Sequence, residues 1–431
     1  MEKVDVLIIG AGAAGLFCAI EAGKRQRKVI VLDHANKPGK KILMSGGGRC
    51  NFTNYDVTSD NFISHNPHFC KSALSRYTPW DFIELVKQHK IPFHEKTKGQ
   101  LFCDHKSHDI LDMLLQECQN ASVEIRLNTQ ITSIEKISDD HYKIHTNRGH
   151  FHCASLVIAT GGLSIPTMGA SSLGYQLAEQ FGIAVWPTSA GLVPLTLHTH
   201  DKARYAILSG VALESEVSIL VTNGSAARRE TASNRSVQIV HEDCEQLKQR
   251  RCRVIGNEYH RCSFRDHLLF THRGLSGPAV LQMSSYWQAG EKLDINLLPD
   301  VDLMDSLKSQ KSSLKLVKNS LLEYLPKRVI DIFLSDEWAE RKLSSLSDSE
   351  LDKIAAQFQR WSLLPNGTEG YRTAEVTLGG VNCDAISSKT MEAHDVPGLY
   401  FIGEVLDVSG WLGGYNFQWA WSSGWAAGQV V

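Results

Sequence analysis

Residues 4–35, VDVLIIGAGAAGLFCAIEAGKRQRKVIVLDHA, restrict the fold more than any other stretch of the chain. Val4–Ile9 is a near-continuous apolar run, as a central parallel strand covered on both faces requires. Gly10, Gly12 and Gly15 then fit G-x-G-x-x-G. The first glycine makes the tight turn, the second admits a pyrophosphate, and the third lets helix pack on strand. Ala11, Ala13 and Ala14 keep the turn slim, and the helix that follows aims its first N–H groups at the phosphates. Val29–Leu32 forms the second strand, and Asp33 ends it where an acidic side chain can bond a ribose hydroxyl. The unit implies a Rossmann-like α/β domain that binds a dinucleotide. These residues alone do not separate NAD from FAD.

Shortly after Asp33 comes KKILMSGGGRCNFTN, residues 40–54. Three consecutive glycines are costly to order, because each loses more chain freedom than a residue with a Cβ. Beyond the second strand they lie on the ligand side of the sheet, where Gly46–Gly48 let the backbone lie against a diphosphate or a flat ring. Lys40, Lys41 and Arg49 bring positive charge to the same place. The alternative for each lysine is a solvated loop.

At 431 residues the chain is long enough for two or three domains. A formal charge of −2 provides no global field to draw nucleic acid or an anionic membrane, so neither is an expected partner on charge. The apolar run near the first residue is too short for a signal peptide, and no run is long enough for a membrane span. Ten cysteines occur without a C-x-x-C pair, which suits reduced, buried thiols. The expectation is a cytoplasmic protein.

GKKILMSGGGRCNFTN resembles the signature of a group of bacterial FAD-containing proteins that includes aminoacetone oxidase and a bile-acid reductase. The resemblance recurs in LVIATGG (156–162), LLFTHRGLSGPAVLQMSS (268–285), TLGGV (377–381) and LYFIGEVLDVSGWLGGYNFQWAWSSG (399–424). It implies non-covalently bound FAD. Thr160-Gly161, at a strand end, then lies near the adenosine and diphosphate, and Glu404, after Gly403, faces the ribityl hydroxyls. The N–H groups of Gly414, Tyr415 and Asn416 open a helix at the flavin pyrimidine edge, where a helix N-terminus favours the negative charge of the reduced ring. The expected cofactor-binding residues are Gly10, Gly12, Ala13, Ala14, Gly15, Asp33, Lys40, Lys41, Gly46, Gly47, Arg49, Cys50, Asn51, Thr160, Gly161, Gly403, Glu404, Gly413, Gly414, Tyr415, Asn416 and Phe417. Asp33 stands where FAD-binding relatives more often carry glutamate; the shorter side chain still reaches a ribose after a small backbone shift.

With cofactor motifs at both ends, the FAD domain is expected to be discontinuous, 1–190 and 373–431. LVPLTL, VSILVT, VQIVH and HLLFTH suggest an inserted antiparallel β domain over 191–299. Residues 300–372 hold a small helical subdomain and the return. There Ser347 and Glu350 form a capping box ahead of an apolar face of Leu351, Ile354, Ala355 and Phe358. Pro326 breaks a helix pair, and LKSQKSSLKLVKNS reads as a polar connection. The arginine-rich stretch 223–265 reads first as a solvated, charge-mixed face. His241, Cys244, Cys252, His260 and Cys262 lack the paired spacing of a zinc site, so no metal is expected.

The chemistry expected is that of an FAD-dependent oxidoreductase acting on a small organic substrate. Either an amine or alcohol is oxidised, or NAD(P)H docks transiently and an unsaturated substrate is reduced. The alternatives are a flavin-carrying RNA-binding or RNA-modifying protein and a non-catalytic regulatory flavoprotein. No catalytic residue is assigned. Cys50 is a redox candidate or a packed thiol, His272 an acid–base candidate or a turn residue, and Asp407 a polarising group or a loop cap. Phe417, Trp421 and Trp425 repeat every four residues and read as one buried helix face. Oligomeric state is not legible.

Overall fold

The computed structural model describes residues 1–138, 141–222, 253–255 and 259–431. The chain divides into two compact units: Met1–Ala190 together with Glu375–Val431, and the described residues from Gly191 to Ala374.

The first unit contains, in chain order, β1 (Glu2–Ile9), α1 (Ala13–Lys24), β2 (Val29–Leu32), α2 (Lys40–Met44), β3 (Asn51–Asn54), α3 (Pro79–Gln88), β4 (Phe93–Glu95), β5 (Gln100–Cys103), β6 (Glu124–Arg126), β7 (Ile131–Ser138), β8 (His141–Thr146), β9 (Gly149–Ile158), β10 (Leu399–Phe401) and α4 (Tyr415–Gly428). β1 lies between β2 and β9, parallel to both, and β6 continues the parallel order beyond β2. β9 is long enough to serve two neighbours in series: its first half pairs antiparallel with β8, and its last residues pair parallel with β10. Val6, Leu7 and Ile8 of β1 are wholly buried, and the whole of β2 is buried with them. This is why both segments read as unbroken apolar runs. β3, β5 and β4 form a separate small antiparallel sheet.

α4 packs across α1 at close range. A Cβ on Gly424 would lie 2.7 Å from the Ala14 carbonyl oxygen, and one on Gly428 would lie 3.0 Å from that of Cys18. Trp419 and Trp421, on α4, are among the largest fully buried side chains of the described residues.

The second unit is built on an antiparallel sheet whose longest pair, Ala212–Thr222 with Tyr259–Phe270, runs in register from Ala212↔Leu269 to Thr222↔Tyr259. Leu293–Asn296 and Trp361–Leu363 extend it on one side. Gly274–Ser276, Leu195–Leu197 and Pro365–Thr368 extend it on the other. The Ser347–Glu350 capping box is formed, and Leu351, Ile354, Ala355 and Phe358 are buried along Asp348–Gln359. Pro326 caps the helix Lys327–Phe333, which follows Val317–Leu321. The polar connection is shorter than its composition implies: Leu303–Ser309 and Val317–Leu321 take both its ends into helices, because Leu307 and Val317 are fully buried. VQIVH, most of the arginine-rich stretch, and His241, Cys244 and Cys252 lie outside the described residues. Among the described residues no group of histidines, cysteines and carboxylates is arranged to hold a metal, and no helix is long and apolar enough to cross a membrane.

Candidate functional site

The glycines of the first turn divide by what surrounds them. Gly10 has φ +116°, and a Cβ there would lie 2.3 Å from the Ala159 carbonyl oxygen at the end of β9. On Gly15 it would lie 2.0 Å from the Gly10 carbonyl oxygen. Both serve packing of turn against strand. Gly12 differs: no protein atom comes within 4 Å of the position its Cβ would take. The Asp33 carboxylate holds this turn, accepting the Ala11 N–H at 2.7 Å on one oxygen and the Ala35 N–H at 2.8 Å on the other. Each oxygen retains a lone-pair direction for a further donor.

The glycine run makes a tight turn in the left-handed region, with φ +58° at Gly46, +65° at Gly47 and +85° at Gly48. A Cβ on Gly46 would press on the Phe102 ring at 2.8 Å, whereas Gly47 and Gly48 face open space. Lys40 is half-exposed and Arg49 exposed, and neither makes an ion pair among the described residues. Cys50 is buried, and that burial pushes its thiol up to about 12, so it is a packed and unreactive group at neutral pH. The Asn51 amide sits where, with its oxygen turned to the Gly414 N–H, it also donates to the Thr53 and Leu101 carbonyls, each at 3.2 Å.

Lys41 reaches across to Glu404 at 2.8 Å and to the Ser164 hydroxyl at 2.7 Å. Glu404 uses its other oxygen to accept the Thr377 N–H at 3.0 Å, and the Thr377 hydroxyl accepts the N–H groups of Leu163 and Ser164. One polar cluster therefore ties α2, the turn after β9, and the segments around 377 and 404. Gly161, φ +70°, opens onto it; the nearest protein atom to a Cβ there is Glu404 Oε2 at 3.8 Å. The Thr160 hydroxyl is buried with no hydrogen-bond partner among the described residues.

Gly414 caps α4 with φ +95°, where a Cβ would lie 2.3 Å from the Thr53 carbonyl oxygen. The N–H groups of Tyr415, Asn416 and Phe417 begin the helix and meet no protein acceptor among the described residues. The Asn416 side chain is occupied elsewhere, accepting from Gly410 N–H at 2.8 Å and donating to the carbonyls of Gly410 and Trp411. Trp419 and Ser423 grip the two sides of Gly403: the indole donates to its carbonyl at 3.1 Å and the hydroxyl accepts its N–H at 3.0 Å. Trp421 donates to the Phe52 carbonyl and stacks on Phe82 at 4.3 Å. Phe417 and Trp425 are only half-buried, so the face expected to bury all three aromatics is the Trp421 end of a helix enclosed on most sides.

Asp407 is buried and takes both the backbone N–H and the Nδ1 of His65, at 2.7 and 2.8 Å. The His65 ring in turn stacks on Trp186 at 4.0 Å. His272 is exposed in a turn of the second unit. His65, Ser164, Thr377 and Gln418 escape the sequence analysis: their partners lie hundreds of residues away, and no local pattern marks them. Glu375, two residues before Thr377, is exposed, but protein around its carboxyl displaces part of its hydration and raises it to about 7.

The unfilled volume beside Gly12, Gly47, Gly48 and Gly161 and the unused N–H groups at the start of α4 form a cradle that fits a dinucleotide with a flat ring. Comparison with known proteins agrees. The chain is 50% identical over its full length to the ribosomal RNA dihydrouridine synthase of Escherichia coli (strain K12), covering 98% of that protein. It is 45% identical to the Haemophilus influenzae protein of the same name, over 97% of this chain and 96% of that one. Against the 3-dehydro-bile acid delta(4,6)-reductase of Clostridium scindens it is 26% identical over 98% of each chain. Residues 4–430 match the family described as the HI0933-like protein Rossmann domain. The chain belongs to this HI0933-like Rossmann family and is a flavoprotein oxidoreductase.

Proposed function

We propose that the protein binds FAD non-covalently and, with NAD(P)H as transient reductant, saturates the C5=C6 bond of a uracil base in ribosomal RNA. The observation that carries this reading is the 50% identity, end to end, with a protein named for making dihydrouridine in ribosomal RNA. It favours the RNA-modifying alternative over a small organic substrate.

In this reading the diphosphate rests at Gly12 and the first turn of α1, with Lys40 and Arg49 supplying charge. Asp33 keeps the glycine turn closed and turns its remaining lone pairs to the adenosine ribose. Glu404 accepts ribityl hydroxyls, with Lys41 held beside it. The backbone of Gly46–Gly48 lies against the ring, and the Tyr415, Asn416 and Phe417 N–H groups meet its pyrimidine edge, where the α4 dipole favours the charge of the reduced form. Bound FAD supplies the two-electron transfer. C6 of uracil is the electrophilic end of a double bond conjugated to the C4 carbonyl, so C6 takes the hydride and C5 a proton that comes from water. The hydride drawn from NAD(P)H balances the electrons.

The test is to incubate the flavin-loaded protein anaerobically with NADPH and an unmodified ribosomal RNA transcript, then digest and weigh the nucleosides. A uridine heavier by two hydrogens is expected. Flavin bleaching by NADPH without that product would reject the RNA substrate and return attention to small unsaturated molecules, the class suggested by the bile-acid reductase relative.

A further inference from the structure

The His65–Asp407 pair has no part in the cofactor reading above, yet its ring is held more firmly than a turn requires. Both the backbone N–H and the ring Nδ1 of His65 meet one Asp407 oxygen, Oδ2, at 2.7 and 2.8 Å. The main-chain bond already closes the turn, so the ring bond serves to orient the imidazole. Trp186 sets the ring plane, stacked at 4.0 Å with 6° between the rings. Asp407 is itself fixed: it is buried, its N–H donates to the Val381 carbonyl at 3.0 Å, and its carbonyl accepts the Cys383 thiol at 3.6 Å. The imidazole is thus constrained at one nitrogen and one face. Its Nε2 meets no protein partner among the described residues, and the side chain keeps 22% of its exposure.

The backbone sets this pair beside the cradle. Asp407 lies three residues after Glu404 and three before Gly410. Three residues of chain span at most about 11 Å, which bounds its distance from each. Ser409–Gly410 pairs antiparallel with Phe62–Ile63, and this ribbon brings His65 alongside Asp407. Gly410 gives its N–H to the Asn416 side chain at 2.8 Å and accepts from the same amide at 2.9 Å, so the ribbon ends against the first turn of α4. An oriented imidazole therefore stands at one end of a short ribbon. At its other end is the helix start that meets the pyrimidine edge in the reading above.

We propose that His65 is the general acid that hands the substrate its proton, with Asp407 as the positioning residue. The proposal rests on the RNA reading above and deepens it by naming the group that delivers hydrogen to C5. A buried carboxylate on Nδ1–H fixes the tautomer and balances the charge of the ring when both nitrogens carry protons, leaving Nε2–H to be given away. As the hydride drawn from NAD(P)H reaches C6 of uracil, the electron pair of the double bond passes to C5 and the C4 carbonyl. The Nε2–H bond then breaks, a C5–H bond forms and the ring is left neutral. Water returns a proton to Nε2, so water remains the net source. Cys50, the thiol nearest the glycine run in sequence, is buried and packed, and does not compete for this role.

The experiment compares flavin-loaded parent, His65→Gln and His65→Ala anaerobically in two separate steps. The first is bleaching of the flavin by NADPH alone. The second is formation of dihydrouridine when the reduced protein is mixed with an unmodified ribosomal RNA transcript. Both variants are expected to hold FAD, to melt and to bleach as the parent does, because hydride uptake does not use this proton. Product formation should fall about a hundredfold or more in each. Added imidazole should restore His65→Ala by about tenfold or more and leave His65→Gln unchanged, since glutamine fills the space. A histidine that only clamps the turn would give no such recovery. Product at the parental rate in either variant, or a loss in His65→Ala that imidazole does not relieve, overturns the role of His65 while leaving the RNA reading standing. A parent that bleaches with NADPH but never forms the product removes the RNA reading, and this proton step with it.

Discussion

An alanine at Gly12 places its methyl in space that no protein atom fills, whereas one at Gly10 drives it into the Ala159 carbonyl at a φ of +116°. The two variants should therefore fail differently. Gly12→Ala is expected to melt like the parent without cofactor but to lose FAD affinity by about a hundredfold, since it displaces a pyrophosphate contact. Gly10→Ala should lose about 2–4 kcal/mol of stability whether or not FAD is present. Thermal melts with and without added FAD distinguish them; equal melting losses for both would show that the space at Gly12 is not the phosphate seat. Glu375 gives a pH test. Its folded carboxyl sits near 7, above the ordinary value of 4.5, so the folded state holds its proton more tightly than the unfolded state. Its contribution to stability is complete below about 4.5 and fades as pH rises through 7. The side chain is exposed, so solvent screening keeps the effect small. Denaturant titrations should show the parent losing more stability than Glu375→Gln between pH 5 and pH 7; parallel curves would contradict the shift.

At the level of elements, sequence legibility followed the range of the interaction. The strand–turn–helix–strand unit, the glycine cap of α4 and the Ser347–Glu350 box are written in residues a few positions apart, and all three are present. Ser347→Ala should accordingly cost about 1 kcal/mol, read by denaturant unfolding of the parent and variant. The Lys41–Glu404–Ser164–Thr377 cluster could not be read in the same way, because its members come together only when β9, β10 and α2 have been assembled. The sequence marks Glu404 and Lys41 as charged residues near glycines, but carries no signal that they pair. Asp407 was open between two roles for the same reason; its buried carboxylate proves to be satisfied by His65, 342 residues away. The α4 aromatics show a third limit. A period of four identified a buried side, but Gln418, Ser422 and Ser423 are buried too, since each finds a partner in the surrounding chain.

Across the whole molecule, the fold class was legible because both ends of the chain carry cofactor motifs, while the substrate was not, because redox chemistry resides in the cofactor. α4 has one further consequence. It holds Phe52, Tyr77 and Gly403 in place and crosses α1 through Gly424 and Gly428. During synthesis, β1 leaves the ribosome well before α4, and the cradle that begins at its end stays unfinished until residues 415–428 emerge. The nascent chain must keep its oldest segment competent while the second unit is translated, and ribosome-stalled chains lacking that helix should capture no flavin.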